Sequence, residues 1–189
     1  MKQTSSISAS YLSELNIALA NFPITDVEKV ATIILQSRDN NGKIFVAGNG
    51  GSATTASHMV TDLGVGSLKH GRGIRAIGLA DNQGIITATA NDLAYEKVFS
   101  EQLRLLASKN DLILVFSASG NSKNLISAFG IAKQLDVQTI AITGFDGGEL
   151  KKLADHSIHI PTSMGSYGVV EDVHSVVSHL ITELIRRTD

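Results

Sequence analysis

Residues 44–53 read IFVAGNGGSA, and residues 112–122 read LILVFSASGNS. Each stretch begins with a short apolar run rich in β-branched and aromatic side chains, which is typical of a buried strand. Each then passes through glycine, serine and asparagine into a helical pattern. Both therefore predict a strand, a tight polar loop and a helix N-terminus. Two such units in one chain indicate right-handed βαβ crossovers in a parallel sheet.

The same alternation extends outward from these two stretches. Further short apolar runs predict strands at Ile74–Leu79, Thr139–Thr143 and Ser157–Ile160. Helical patterns lie between and after the strands at Ala53–Leu63, Leu93–Ala107, Ser122–Gln134, Gly148–Ala154 and Val169–Arg187. We therefore predict an α/β fold, an open parallel sheet with helices on both faces. Ligands of such folds bind at the carboxyl ends of the strands.

Two amphipathic helices precede the sheet. Apolar residues recur every three or four positions from Tyr11 to Phe22, and Thr25-Asp26-Val27-Glu28 has capping-box spacing ahead of a second apolar series. We assign residues 1–36 to these N-terminal helices and residues 43–189 to the α/β core, including its C-terminal helix. No linker or low-complexity segment interrupts the chain, which predicts a single domain over residues 1–189.

Composition narrows the function classes. The chain has 189 residues, a net charge of −2 and no cysteine. We therefore expect no nucleic-acid partner recruited by bulk positive charge, and thiolate metal sites and cysteine nucleophiles are excluded. No run of 18 apolar residues and no signal-peptide pattern occurs, so we expect a cytoplasmic protein without a membrane partner.

The loops after the two quoted strands are suited to a phosphate. Gly48–Ser52 and Ser117–Ser122 each lead into a helix, and backbone N–H groups, the helix dipole and serine hydroxyls together bind a phosphate dianion. A rival interpretation is the dinucleotide fingerprint Gly48-x-Gly50-x-x-Ala53 with Asp81 as the ribose-binding acid. That acid follows after about 30 residues instead of ~20. No Walker A motif is present, and we expect no nucleotide cofactor.

Titratable side chains on two predicted helices could work beside these loops. His58 and Asp62 share a helix face at i, i+4 spacing, and the last helix carries Glu171, His174 and His179. Spacing alone does not decide which of these two histidines joins Glu171. The set suits either a divalent ion such as zinc or a general acid/base pair. With a phosphate loop, it fits aldose–ketose isomerisation of a sugar phosphate. The remaining histidines are expected to be structural: His70, His156 and His159.

Several segments, in order, resemble the SIS (sugar isomerase) domain family and its phosphoheptose isomerases. They are GNGGSA with His58 and Asp62, Asn91-Asp92, SASGNSKN, TGFDGGELKKLAD and EDVHSVVSHLITELI. The resemblance implies a flavodoxin-like three-layer sandwich with a five-stranded parallel sheet. It also implies a homotetramer with sites at subunit interfaces. The implied reaction converts sedoheptulose 7-phosphate to D-glycero-D-manno-heptose 7-phosphate through an enediolate, for heptose in lipopolysaccharide or capsule.

The resemblance also implies roles for individual residues. The catalytic group is Asp62, Glu171 and His179, and the same residues with His58 form a candidate site for one zinc or other divalent ion. His174 then has at most a supporting role. The implied substrate-binding residues are Asn49, Gly50, Gly51, Ser52, Asn91, Asp92, Ser117, Ala118, Ser119, Ser122 and Glu171.

Three positions depart from the family pattern. Asp62 stands where the family usually has glutamate, Glu171 where it has glutamine, and Gly66 where it has arginine. One hypothesis is an exchanged base, with Glu171 taking the proton and Asp62 binding metal; another is a different sugar phosphate. Lys69 or Arg72 could replace the lost arginine. The alternative functions are a non-catalytic module that binds a sugar phosphate or a protein, and a nicotinamide-dependent dehydrogenase.

Overall fold

The protein is described here from a computed structural model covering residues 2–68 and 73–188, with side chains from residue 6 onward. Lys69, His70 and Arg72 lie outside the described residues. The helices are α1 Lys2–Ala20, α2 Ile24–Asp39, α3 Gly51–Thr61, α4 Gln83–Asp92, α5 Ser100–Leu106, α6 Lys123–Gln134, α7 Gly148–Leu153 and α8 Tyr167–Thr188. The strands are β1 Lys43–Ala47, β2 Arg75–Gly78, β3 Leu112–Ser117, β4 Gln138–Thr143 and β5 His156–His159.

The strands of the described chain form one five-stranded sheet in the order β2-β1-β3-β4-β5, and every neighbouring pair is parallel. This order is that of a flavodoxin-like, doubly wound sheet, so the fold predicted from the sequence is confirmed. The order reverses between β1 and β3, where ligands of such sheets bind. The two quoted loops follow these two strands.

Alternate residues of each strand enter opposite hydrophobic layers. Ile44 and Val46 face α2, α3 and α8, whereas Phe45 and Ala47 face α5, α6 and α7. Strands buried on both faces need apolar residues at every position, which explains their continuous apolar runs. On the first face α1 is tied to α8 by a hydrogen bond of 2.6 Å from the Tyr11 hydroxyl to Asp172.

Three local expectations were wrong. The predicted helix Leu93–Ala107 is a 3₁₀ turn at Tyr95–Lys97 followed by the shorter helix α5, and α4, which precedes them, was not predicted from the sequence. None of the residues in α4 is buried, so no buried face imposes the apolar periodicity from which the other helices are predicted. Asn82 starts α4 by accepting a hydrogen bond of 3.1 Å from the Ile85 amide.

The predicted capping box does not form, because α2 begins at Ile24 with Pro23 at the N-cap and no side-chain cap. Thr25 is already inside the helix. The second helix ends at Asp39, beyond the predicted boundary of residue 36. Within the described parts of the chain, no helix combines the length and the apolar character needed to cross a bilayer.

Candidate functional site

Two loops stand at the carboxyl edge of the sheet on either side of its reversal point. The first loop, residues 48–51, joins β1 to α3, and the second loop, residues 118–122, joins β3 to α6. In the first loop Gly50 is the N-cap of α3 with φ of 54°, a backbone conformation that favours glycine. Ser52 follows in the first turn of α3 and is buried. The N-termini of α3 and α6 thus open at the same edge.

A pair of asparagines joins the two loops. The Asn49 amide donates to Asn124 Oδ1 at 3.0 Å, and the Asn124 amide donates back to Asn49 Oδ1 at 2.8 Å. The Tyr95 hydroxyl donates to the same Asn49 oxygen at 3.0 Å. Asn124 is buried, so it fixes the spacing between the loops. The sequence reasoning assigned no role to Asn124, although it lies within the SASGNSKN motif.

The second loop is built around Gly120, whose φ is +65°. A Cβ at Gly120 would lie 2.6 Å from the carbonyl carbon of Gly147, so only glycine fits against the start of α7. The Gly120 amide donates to the Ser117 hydroxyl at 3.1 Å, which shapes the turn from inside. Ser119 is half-buried, and Ser122 is the N-cap of α6 without a side-chain capping bond. Ser119 Oγ accepts a hydrogen bond of 3.3 Å from the Asn121 amide, which leaves its O–H to donate to a ligand.

The titratable residues His58, Asp62 and His179 come together between α3 and α8. One ligand atom from each lies within 4.8 Å of the others. The rings of His58 and His179 meet edge to face with centroids 4.9 Å apart, and His58 Nε2 is 3.8 Å from Asp62 Oδ2. His58 and His179 are exposed and Asp62 is half-buried, so the group is open to solvent on one side.

Asp62 begins a π-helical turn, Asp62–Gly66, that continues α3. Such turns are frequent at functional sites because the wider helix re-aims side chains. The second Asp62 oxygen, Oδ1, is 3.5 Å from the Arg186 guanidinium. The sequence reasoning missed Arg186, because no motif or spacing links residue 186 to residue 62.

Glu171 does not join this group. It precedes His179 by eight residues on α8, which is about 12 Å along the helix axis. Its half-buried carboxylate lies instead against Gly51, where a Cβ would be 2.5 Å from Glu171 Cδ. Glu171 therefore stands at the N-terminus of α3, beside the first loop.

Asn91 and Asp92 end α4 and are exposed. The Asn91 amide donates to Asp92 Oδ1 at 2.8 Å. Tyr95, three residues later, connects this segment to the first loop through Asn49. Asp81, the candidate ribose-binding acid, accepts a hydrogen bond from the Ser57 hydroxyl of α3.

The other described histidines are in different surroundings. His174 is fully buried next to Phe116, and this burial lowers its pKa to about 4. It is therefore neutral near pH 7. Burial also lowers the pKa of His156 and of His159, and the His159 ring is 3.1 Å from the Thr143 hydroxyl.

The chemistry of the group His58, Asp62 and His179 fits a divalent metal. Two imidazoles and one carboxylate are a donor set typical of catalytic zinc, which leaves a further position for water or substrate. Exposure on one side leaves that position accessible. The fold and these groups define a class of protein: a doubly wound α/β protein in which two polar loops at helix N-termini lie at the same sheet edge as a cluster of two histidines and one aspartate.

Comparisons with known proteins identify the family. The sequence model described as "SIS domain" matches residues 10–144. Phosphoheptose isomerase of Akkermansia muciniphila is 38% identical over 163 residues, covering 86% of this chain and 85% of that protein. Phosphoheptose isomerase of Helicobacter pylori is 36% identical over 155 residues, covering 82% and 80%.

Solved structures agree with these sequence matches. Phosphoheptose isomerase from Neisseria gonorrhoeae superposes with a TM-score of 0.85 at 29% identity and covers 97% of each chain. That from Francisella tularensis gives 0.87 at 26% identity and covers 99% of this chain and 100% of the other. The chain belongs to the SIS domain family, and within it to the phosphoheptose isomerases, a group of aldose–ketose isomerases.

Proposed function

We propose that this protein interconverts sedoheptulose 7-phosphate and D-glycero-D-manno-heptose 7-phosphate. The observation that carries the proposal is the juxtaposition of two helix-terminal loops with titratable groups at one edge of the sheet, in a chain similar to phosphoheptose isomerases along most of its length. Production of heptose for lipopolysaccharide or capsule is the corresponding biological role. Residues 1–189 would act as a single SIS domain.

The second loop is the proposed phosphate site. The hydroxyls of Ser119 and Ser122 and the first backbone N–H groups of α6 suit the phosphate oxygens. Ser117 shapes the loop by accepting a hydrogen bond from Gly120, and Ala118 contributes backbone. The sugar chain would then extend toward the first loop, where its hydroxyls meet the remaining proposed substrate residues: Asn49, Gly50, Gly51, Ser52, Asn91 and Asp92.

Glu171 is the proposed general base. Its carboxylate stands beside the first loop, whereas both oxygens of Asp62 already face other groups, His58 and Arg186. The base removes a proton from C1 of the ketose, and the C1–C2 double bond of the enediolate forms. The resulting carboxylic acid, whose proton exchanges with solvent, then protonates C2. This supports the exchanged-base hypothesis, with Asp62 as a metal-binding or structural carboxylate.

His179 is the proposed partner at the substrate oxygens, where it moves a proton from O1 to O2 as the carbonyl changes position. His58, Asp62 and His179 would hold a zinc ion, which supplies Lewis-acid stabilisation of negative charge on oxygen when bound. Glu171, set apart along α8, would stay outside that ligand set. His179 is required for the reaction whether the group binds a metal ion or His179 transfers the proton itself.

A homotetramer with sites at subunit interfaces is part of the proposal. Large apolar side chains are exposed on α1, at Ile7, Leu12 and Ile17, and the His58 group is open to solvent. Surface of this kind is typical of subunit contacts. Light scattering after gel filtration, at the concentration used for activity, measures the assembly.

Turnover of sedoheptulose 7-phosphate by purified protein tests the proposal. His179→Ala should lower kcat by about 10²- to 10⁴-fold while the fold is retained. His156→Ala, at the opposite end of the sheet, is the matched histidine control and should keep wild-type kcat. Tight binding of the sugar phosphate by wild-type protein without any turnover would instead indicate a non-catalytic module.

A further inference from the structure

Arg186 reaches the His58 group from the last turns of α8. It follows His179 by seven residues, nearly two full turns, so both side chains leave the same face of the helix. Arg186 Nη2 is 3.5 Å from Asp62 Oδ1, and Nη1 is 4.0 Å from Glu183. The side chain is 28% exposed and its Nε is buried. The side chain is therefore half-buried, and its Nη2 faces Asp62.

The two oxygens of Asp62 face different partners. Oδ2 is 3.8 Å from His58 Nε2, and Oδ1 faces Arg186. A carboxylate on its own rotates about its last torsion, which is broad and two-fold. A cation held at one oxygen restricts that rotation and presents the other oxygen to the histidines. Outer partners of this kind orient functional carboxylates in enzymes.

Gly66 provides the space for Arg186. A Cβ at residue 66 would lie 3.3 Å from Arg186 Cζ and closer still to Nη2. Gly66 is absent from the glycines with positive φ, so its backbone does not require glycine. Glycine is needed here because a side chain would occupy the space of the Arg186 guanidinium. The turn Asp62–Gly66 places this space next to Asp62.

We propose that Arg186 is a positioning residue that fixes the Asp62 carboxylate toward His58 and His179, with Gly66 as the gap that admits its guanidinium. The functional part of this inference rests on the proposed isomerase. The pairing of Arg186 with Asp62 stands apart from it and is measurable in protein of any activity. A simple surface ion pair is the competing explanation, and exposed pairs of that kind contribute little.

Steady-state kinetics separates the two explanations. Arg186→Met keeps the apolar stem and removes the charge, and we expect kcat to fall about 10- to 100-fold with KM changed less than about threefold. Arg186→Lys keeps the charge without the planar fork and should lie between Met and wild type. Gly66→Ala should lower kcat in the same direction, because its Cβ displaces the guanidinium.

Arg187→Met is the matched control. Arg187 is the next residue on α8, is 79% exposed and pairs with Glu183 at 2.6 Å, away from Asp62. Its loss should leave kcat, KM and the melting temperature unchanged. Equal kinetic effects of Arg186→Met and Arg187→Met, or wild-type kcat for both, would overturn the positioning role. If Arg186→Met does not fold, Arg186→Lys and Gly66→Ala decide the question.

A melting-temperature cycle in metal-free protein tests the pairing without any activity. We expect Arg186→Met and Asp62→Asn to be non-additive, the double variant melting several degrees above the sum of the single losses. Arg187→Met with Asp62→Asn should be additive. Additivity in both cycles overturns the pairing. Non-additivity in a protein that isomerises nothing would instead refute the proposed function while leaving the pairing intact.

Discussion

Gly51→Ala tests whether the position of Glu171 matters. A Cβ at residue 51 would lie 2.5 Å from Glu171 Cδ, where ordinary contact begins near 3.4 Å, so the carboxylate has to retreat by about 1 Å. A misplacement of about 1 Å in a catalytic group costs on the order of 10²-fold in rate. We therefore expect kcat for sedoheptulose 7-phosphate to fall by that order.

Stability should change little in this variant. The displaced atoms are the end of a flexible side chain, and Gly51 is the first residue of α3, where alanine is tolerated. We expect the unfolding free energy, measured in urea, to stay within about 1 kcal/mol of wild type. The matched control is Gly130→Ala on α6, where a Cβ meets no atom within 4 Å. It should keep full kcat and gain up to about 1 kcal/mol in stability.

A double variant assigns the effect to Glu171. In a Glu171→Gln background the base is already lost, so Gly51→Ala should lower kcat no further. Wild-type kcat for folded Gly51→Ala would refute the proposal that Glu171 must stand at this place. An equal further loss in the Glu171→Gln background would attribute the effect to the first loop instead.

Three further predictions concern the supporting structure. Gly120→Ala should lose about 2 kcal/mol or more of stability in urea and bind inorganic phosphate more weakly by calorimetry, because φ is +65° and Gly147 blocks a Cβ; wild-type binding would contradict this. Asn124→Ala should cost about 1–3 kcal/mol and raise KM, because Asn49 loses its buried partner; an unchanged KM would show that the loops hold their spacing without it. The pKa of His174 is about 4 in the folded protein against 6.5 in the unfolded chain. The contribution of neutral His174 to the stability of the folded protein is therefore complete above pH 6.5 and is lost as pH falls toward 4, because the unfolded chain binds the proton first. Between pH 7 and pH 4, this group should lower the free energy of unfolding of the wild type, measured by thermal unfolding, by about 3 kcal/mol. An equally steep fall in the unfolding free energy of His174→Leu would contradict the assignment.

The sheet and its binding edge were predictable because they depend on local patterns. Runs such as 44–47 and 112–116 are apolar at every position since both faces are covered, and polar loops follow them directly. The same logic failed for α4, whose exposed residues carry no apolar signal. Its N-cap, Asn82, was the available clue.

Part of the candidate site could not be read from the sequence. The prediction from the sequence considered only the angles of His174 and His179 around the helix axis relative to Glu171. Eight residues also separate two side chains by about 12 Å along that axis. That rise explains why Glu171 lies at Gly51 and apart from His58 and Asp62. The Arg186–Asp62 pair is a tertiary contact between residues far apart in the chain, and only the folded structure reveals it.

Proton NMR of sedoheptulose 7-phosphate in D₂O, with metal-stripped and zinc-reloaded protein side by side, tests isomerisation through an enediolate most directly. We expect the aldose to appear with deuterium at the carbon next to the carbonyl. A faster reaction in the reloaded sample would assign His58, Asp62 and His179 to metal binding, and equal rates would assign His179 to proton transfer. Neither aldose nor deuterium exchange in either sample, while the sugar phosphate still binds, would contradict the proposed activity.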